Sequence, residues 1–260
     1  MQVKEEKQVK EEKKRNGPGP ALALWALLAR SSIYKVLAVL AVMVPAEVIL
    51  FYRSIKTEWT YYTEYHTLAA AVESSHISAV FLAALGLVFF ALVWSEGRLE
   101  SKSGGTMLRL RLSGSRIFRI KTAYNVACLV LLFAVQIWLC IWLVWVYGRE
   151  AETVYASPQR LFLAFYRIDF LHCLLPMAEA GRWVRNILLF LSFGTEAARR
   201  AGKTEYAPSI LLYGLTASWF VSSMGWIATD SVCIILYVLV IAVNVRHVYK
   251  EERGKVQSYA

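Results

Sequence analysis

Asp169 and His172 stand three positions apart inside an apolar run, a spacing that sets two side chains on one helix face. A carboxylate and an imidazole so placed have the chemistry of a proton relay. Arg167, two positions before Asp169, points to a different face of the same helix. Glu47 is another ionisable group set in an apolar stretch, about a turn from its far boundary. Ionisable groups inside a bilayer are expensive and mark substrate or ion pathways by default, so Glu47, Arg167, Asp169 and His172 are the candidate polar groups of a pathway. Plainer readings compete: a polar stripe on a re-entrant or bundle-facing helix for Asp169 and His172, and an interfacial, snorkelling carboxylate for Glu47. No H-E-x-x-H, G-x-S-x-G or paired-aspartate motif accompanies these residues, and no catalytic residue is assigned.

Two other chemistries fail on spacing. Gly202-Lys203-Thr204 resembles the end of a phosphate-binding loop, but the pattern needs Gly at position 197 and the chain has Ala197. Cys128, Cys140, Cys173 and Cys233 all lie in apolar stretches without a C-x-x-C pair. His172 adjoins Cys173, but neighbours on a helix point apart, so the cysteines read as small apolar fillers and no metal or cofactor is expected in this chain.

These residues must be positioned by helices in a membrane. Hydrophobic residues make up 57% of the chain and charged ones 18%, too few polar groups for the shell of a soluble domain. Mean hydropathy is +0.44. Nine Trp and fourteen Tyr suit rings that settle at the membrane–water boundary. The formal charge of +10 is concentrated in tails and a few loops between apolar runs, a membrane pattern and not a nucleic-acid-binding one.

The chain opens with a repeat, Gln2–Lys7 and again Gln8–Lys13, whose alternating charges leave no apolar face to bury. Residues 1–20 therefore read as a charged tail, closed by Gly17-Pro18-Gly19-Pro20 and holding no apolar core of a cleavable signal. The run Ala21–Ala29 is too short to cross a core of ~30 Å, so residues 21–32 read as an interfacial helix anchored by Trp25. A transmembrane domain over 33–247 follows, with spans expected near 33–52, 77–94, 122–147, 161–193, 210–228 and 232–245. Pro45 is expected to kink the first. The fourth is broken at Pro176, either a span followed by an interfacial helix or a half-inserted, re-entrant segment followed by the true span at 183–193. The last two are expected to join through a tight turn at Thr229-Asp230, and 248–260 is a second basic tail. The fold class is all-α: a polytopic bundle of six transmembrane helices.

Six crossings put both termini on one side. The basic loops 96–121 and 194–206 then share that side with both tails, while 53–76 and 148–160 are acidic to balanced. Charge and parity agree on cytoplasmic termini in a cell membrane.

The loop between the second and third spans is the most charged internal segment. Gly104-Gly105 frees the chain, Thr106 caps, and Met107–Leu112 reads as a short helix ended by Ser113-Gly114. Leu108, Leu110 and Leu112 alternate with Arg109 and Arg111, flanked by Arg98 and Arg116. Apolar contacts with a charged rim suit a partner protein; anionic headgroups are the alternative.

With these features in place, the chain resembles the membrane subunit of an ABC-2 type transporter. The resemblance rests on Glu96-Gly97, Leu108-Arg109-Leu110, Ser113 and Lys121, which match that family's coupling loop; on Ala21–Ala29, which matches its interfacial connecting helix; and on the broken segment at Leu174-Leu175-Pro176. Arg111 stands where the family commonly has Pro, and Gly114-Ser115 adds residues before Arg116. The resemblance implies a non-catalytic permease subunit with ATP bound and hydrolysed in a separate ATPase chain. It also implies docking of that ATPase on residues 98–116 and a second permease subunit, identical or different, across the pathway. The competing readings are a membrane anchor or accessory subunit of another complex, and an intramembrane enzyme using Asp169 and His172.

Overall fold

The computed structural model describes residues 19–61, 68–109, 113–150, 159–177, 179–200, 206–221 and 227–258, and every regular element among them is helical. In chain order these are α1 (Pro20–Tyr61), α2 (Leu68–Ser74), α3 (Ile77–Arg109), α4 (Gly114–Glu150), α5 (Gln159–Arg167), α6 (Asp169–Leu174), α7 (Ala180–Arg200), α8 (Ala207–Val221) and α9 (Ile227–Ser258). Four of them carry stretches long and apolar enough to cross a membrane: Ala21–Lys56, Ile77–Ser95, Gly114–Arg149 and Asp230–Gly254. The chain is in this respect a multi-pass membrane protein.

Several boundaries differ from the sequence expectation, and each difference has a physical reason. α1 is a single helix of 42 residues, about 63 Å long, so the expected interfacial helix and first span are joined through Arg30–Ile33. Nothing between Ala21 and Val44 breaks a helix, and Pro45 is carried inside it. α3 runs on through Gly104-Gly105 to Arg109 without the expected interruption; glycine weakens a helix interior by only ~1 kcal/mol. α9 begins at Ile227, which places Thr229-Asp230 in its first turn and not in a tight turn, and it continues to Ser258. The segment around 161–177 divides at Ile168, whose φ of −89° and ψ of 114° are extended, leaving α5 and α6 as short pieces.

Contacts fix the running directions. Phe51 of α1 meets Tyr147 of α4 near the same end at which Ser54 of α1 donates to Ala71 O in α2. At the other end Ser32 of α1 hydrogen-bonds Tyr124 of α4 at 2.7 Å, and Lys35 donates to Ser95 of α3 at 2.5 Å. α1 and α4 therefore run parallel, with α3 antiparallel to both. Phe133–Phe190 and Asn125–Gly194 pair α4 antiparallel to α7. Arg185–Asp230 and Thr195–Asn244 occur in the same order along α7 and α9, so those two run parallel. α8 runs antiparallel to both and leans on α3 through Tyr213, with Ser209 on Glu196 and Thr216 on Tyr237.

The centre is aromatic and aliphatic. Phe81, Phe133 and Phe190 form an edge-to-face series with centroids 5.2 and 4.7 Å apart, joining α3, α4 and α7, while Phe89 lies 4.5 Å from Phe193. In lipid, helices associate through close packing and internal hydrogen bonds rather than by escaping water. Gly194 shows the first: a Cβ there would lie 2.6 Å from Val126 Cγ2 and 3.3 Å from Thr122 O, so only glycine admits this approach of α7 to α4.

Helix α7 reverses the arrangement of a soluble amphipathic helix. Its buried face carries Arg182, Arg185, Asn186, Ser192, Thr195, Glu196 and Arg200. Its outer face exposes Trp183, Val184, Ile187 and Leu191. In water this pattern wastes apolar surface and desolvates charge; against hydrocarbon, with the charges paired inside, it is the stable orientation.

Candidate functional site

The interior polar groups form three clusters, each held by helices already placed. The first lies between α1 and α4, where Glu47 and Gln136 are fully buried. Gln136 Nε2 donates to Glu47 Oε2 at 2.8 Å and also approaches Cys140 Sγ at 3.5 Å. Glu47 Oε1 and Gln136 Oε1 have no hydrogen-bond partner among the described residues. Beside them a cavity of about 10 Å³, room for one water at most, is bordered by Phe51, Cys140, Phe170 and Leu171.

The second cluster ties α6, α7 and α9 together at the Phe51 end. Asp230 Oδ1 accepts from Arg185 Nη1 at 2.7 Å, and Asp230 Oδ2 lies 3.4 Å from Arg182 Nε. Arg182 also pairs with Glu179, whose Oε1 is 3.6 Å from His172 Nε2. Asn186 Oδ1 accepts from Arg185 Nη2 at 3.1 Å, and Asn186 Nδ2 donates to Cys173 O at 3.0 Å. Two guanidinium groups thus share two carboxylates, which is how buried charge is tolerated in low dielectric.

The third cluster sits at the opposite end of α7. Glu196 Oε1 accepts from Arg200 Nε at 2.8 Å and from Ser209 Oγ of α8 at 3.1 Å, while Arg199 lies 3.4 Å from Oε2. Asn244 Nδ2 donates to Thr195 Oγ1 at 3.3 Å and brings in α9.

The expected site residues distribute unevenly among these clusters. Glu47 is buried against Gln136, not left at an interface. His172 is buried, but it faces Phe165 O at 3.2 Å and Glu179; Asp169 and Arg167 are exposed, and no bond joins Asp169 to His172 among the described residues. The break at Ile168 leaves only six residues in α6, with Asp169 at its exposed start. The pair is therefore not assembled as a relay. Arg182, Arg185, Glu196 and Asp230 form the charged frame and were not singled out from the sequence. Their signal was there, because Arg182, Arg185, Leu189, Ser192, Glu196 and Arg200 recur at three- and four-residue steps on one helix face.

The expected docking loop is a helical projection. α3 continues past Ser95 to Arg109, and α4 starts again at Gly114. Ser113 O accepts the Arg116 and Ile117 amides at 3.0 Å, and Arg116 is exposed. Leu110, Arg111 and Leu112, together with the side chains of Arg98, Thr106, Leu108 and Arg109, lie outside the described residues, as do Gln2–Lys13 and Gly202-Lys203-Thr204. The far end of α9 braces the base of the projection: Glu252 Oε1 accepts from Ser115 N at 3.4 Å and Ser115 Oγ at 3.5 Å. A carboxylate is favourable at a helix N-terminus, where the first amides lack partners. Among the described residues, no group of three His, Cys, Asp or Glu side chains is placed to hold a metal ion.

The chain matches no protein-family model, and no curated protein or solved structure is significantly similar to it.

Proposed function

We propose that this chain is the non-catalytic permease subunit of an ABC-2 type exporter, crossing the membrane six times with α1, α3, α4, α7, α8 and α9. The alternation of direction along those helices supports six crossings. α7, at 21 residues and about 32 Å, serves as the fourth, with α8 and α9 as the fifth and sixth. α5 and α6 form the broken outer segment before the fourth crossing. Both termini and the basic ends then share the cytoplasmic side of the cell membrane.

The observation that carries the proposal is the helical projection between α3 and α4. α3 extends beyond Ser95 for another fourteen residues, about 20 Å, to Arg109, and in the sequence Leu108, Leu110 and Leu112 alternate there with Arg109 and Arg111. A basic helical lever at the cytoplasmic face suits docking of an ATPase that binds and hydrolyses ATP in its own chain. Glu252 links the lever base to α9, and Asn244–Thr195 links α9 to α7, so a push on the projection has a continuous route to the polar frame.

Among the described residues the interior cavity beside Cys140 holds no more than a water, which favours a pathway built against a second permease subunit over one between α1 and α4 of a single copy. The same observation favours a second reading, an anchor or accessory subunit with no pathway. Affinity purification from native membranes decides between them. Co-purification of a P-loop ATPase, lost on Arg109→Glu with Arg111→Glu, is expected of the permease. A chain that emerges with no ATPase, or whose complex ignores the charge reversal, rejects it.

A further inference from the structure

Beyond the polar frame, one unassigned feature lies on the outward face of α9. Arg246, His247 and Lys250, with Val243, line an open crevice of about 290 Å³. Arg246, His247 and Lys250 are exposed, and none makes a hydrogen bond or ion pair with another described residue. Glu252, two positions beyond Lys250, is turned away from them toward Ser115.

The helix leading to this crevice is apolar on the same side. Ile235, Leu239 and Val243 are each half exposed or more, at steps of four residues that keep them on one face with Arg246, His247 and Lys250. From Asp230, in the first turn of α9, Arg246 lies about 24 Å along the axis and Lys250 about 30 Å, the span of a hydrocarbon core. The basic cluster therefore falls at the level where acyl chains end and phosphates begin.

We propose that this crevice binds the phosphate headgroup of an anionic phospholipid, with its acyl chains laid along Ile235, Leu239 and Val243. Charge complementarity selects the headgroup, and the adjoining apolar stripe selects a lipid over a free anion. This inference does not rest on the transport reading and holds for either orientation of the chain.

The test uses the full chain in nanodiscs of phosphatidylcholine with a minor share of phosphatidylglycerol, and native mass spectrometry reads the retained lipid. Wild type is expected to retain phosphatidylglycerol in preference to phosphatidylcholine. Arg246→Gln with Lys250→Gln is expected to reduce that preference about thirtyfold, at about fivefold per basic group. Arg246→Lys with Lys250→Arg preserves charge and is expected to keep the preference. Arg30→Gln, which removes an exposed cation from α1, is expected to leave it unchanged and controls for general charge. Equal retention by the double glutamine variant and wild type overturns the proposal. So does displacement of the lipid by millimolar inorganic phosphate, which would make the crevice a simple anion site.

Discussion

Arg185 of α7 and Asp230 of α9 meet at 2.7 Å with both side chains largely buried, and this pair fastens the start of α9 to a helix that runs parallel to it. Removing one partner of such a pair leaves an uncompensated charge, which costs about 3 kcal/mol. Asp230→Ala is expected to lower the unfolding temperature in detergent by several degrees. Asp230→Asn, which retains an acceptor for Arg185, should lose less. Wild-type unfolding temperatures for both variants would show that the bridge contributes nothing to stability.

Gln136→Leu removes the donor to Glu47 Oε2 and leaves a fully buried carboxylate without its partner, an expected loss of about 1–3 kcal/mol. Glu47→Leu leaves the Gln136 amide in the same position. The two changes combined replace both polar groups with apolar ones of similar size, so the double variant is expected to be more stable than either single variant. A double-mutant cycle by thermal unfolding measures the difference; strictly additive losses would mean that the pair does not interact.

These two pairs also show how far the sequence could be read. Apolar length announced the membrane and located α1, α3, α4 and α9, because a continuous run of twenty apolar residues has few other uses. Glu47 was visible as a charge in an apolar run, but its partner was not: Gln136 is 89 positions away, and only packing of α1 on α4 brings them together. α7 was the hardest element. Arg182, Arg185 and Glu196 lower its average hydropathy, and what marks it is the placement of charge on one face, which an average removes. A relay at Asp169 and His172, one of the readings their spacing allowed, needs an unbroken helix, and the extended backbone at Ile168 shortens that helix to six residues. Gly104-Gly105 and Thr229-Asp230 were given more power to end a helix than they have when the surrounding segment is strongly helical.

Gly194→Ala tests the close approach of α7 to α4. Alanine favours a helix over glycine by ~1 kcal/mol, so in open space the change would stabilise. Here the added methyl meets Val126 Cγ2 at 2.6 Å and the Thr122 carbonyl at 3.3 Å. Val126 is β-branched and turns poorly within a helix, so strain of about 1–3 kcal/mol is expected to outweigh the propensity gain. Val126→Ala in the same chain should restore most of the loss. A Gly194→Ala protein as stable as wild type would mean that α4 and α7 are not packed at this contact.

Ile187 decides what surrounds α7. The residue is half exposed on the face opposite Arg185 and Asn186, beside Trp183, Val184 and Leu191. On a protein in water, replacing an exposed isoleucine with lysine changes stability by at most about 0.5 kcal/mol. If α7 crosses the bilayer, the same change puts an ammonium near the middle of the hydrocarbon, at about 2.5–3.5 kcal/mol. Ile187→Lys is therefore expected to cut the amount of folded protein in the membrane fraction sharply, while Ile187→Leu leaves it unaltered. Val184→Lys, one turn nearer the helix end, should be milder, since its longer stem reaches the headgroups. Normal membrane accumulation of Ile187→Lys would place this face of α7 against water or a partner protein and remove α7 as the fourth crossing.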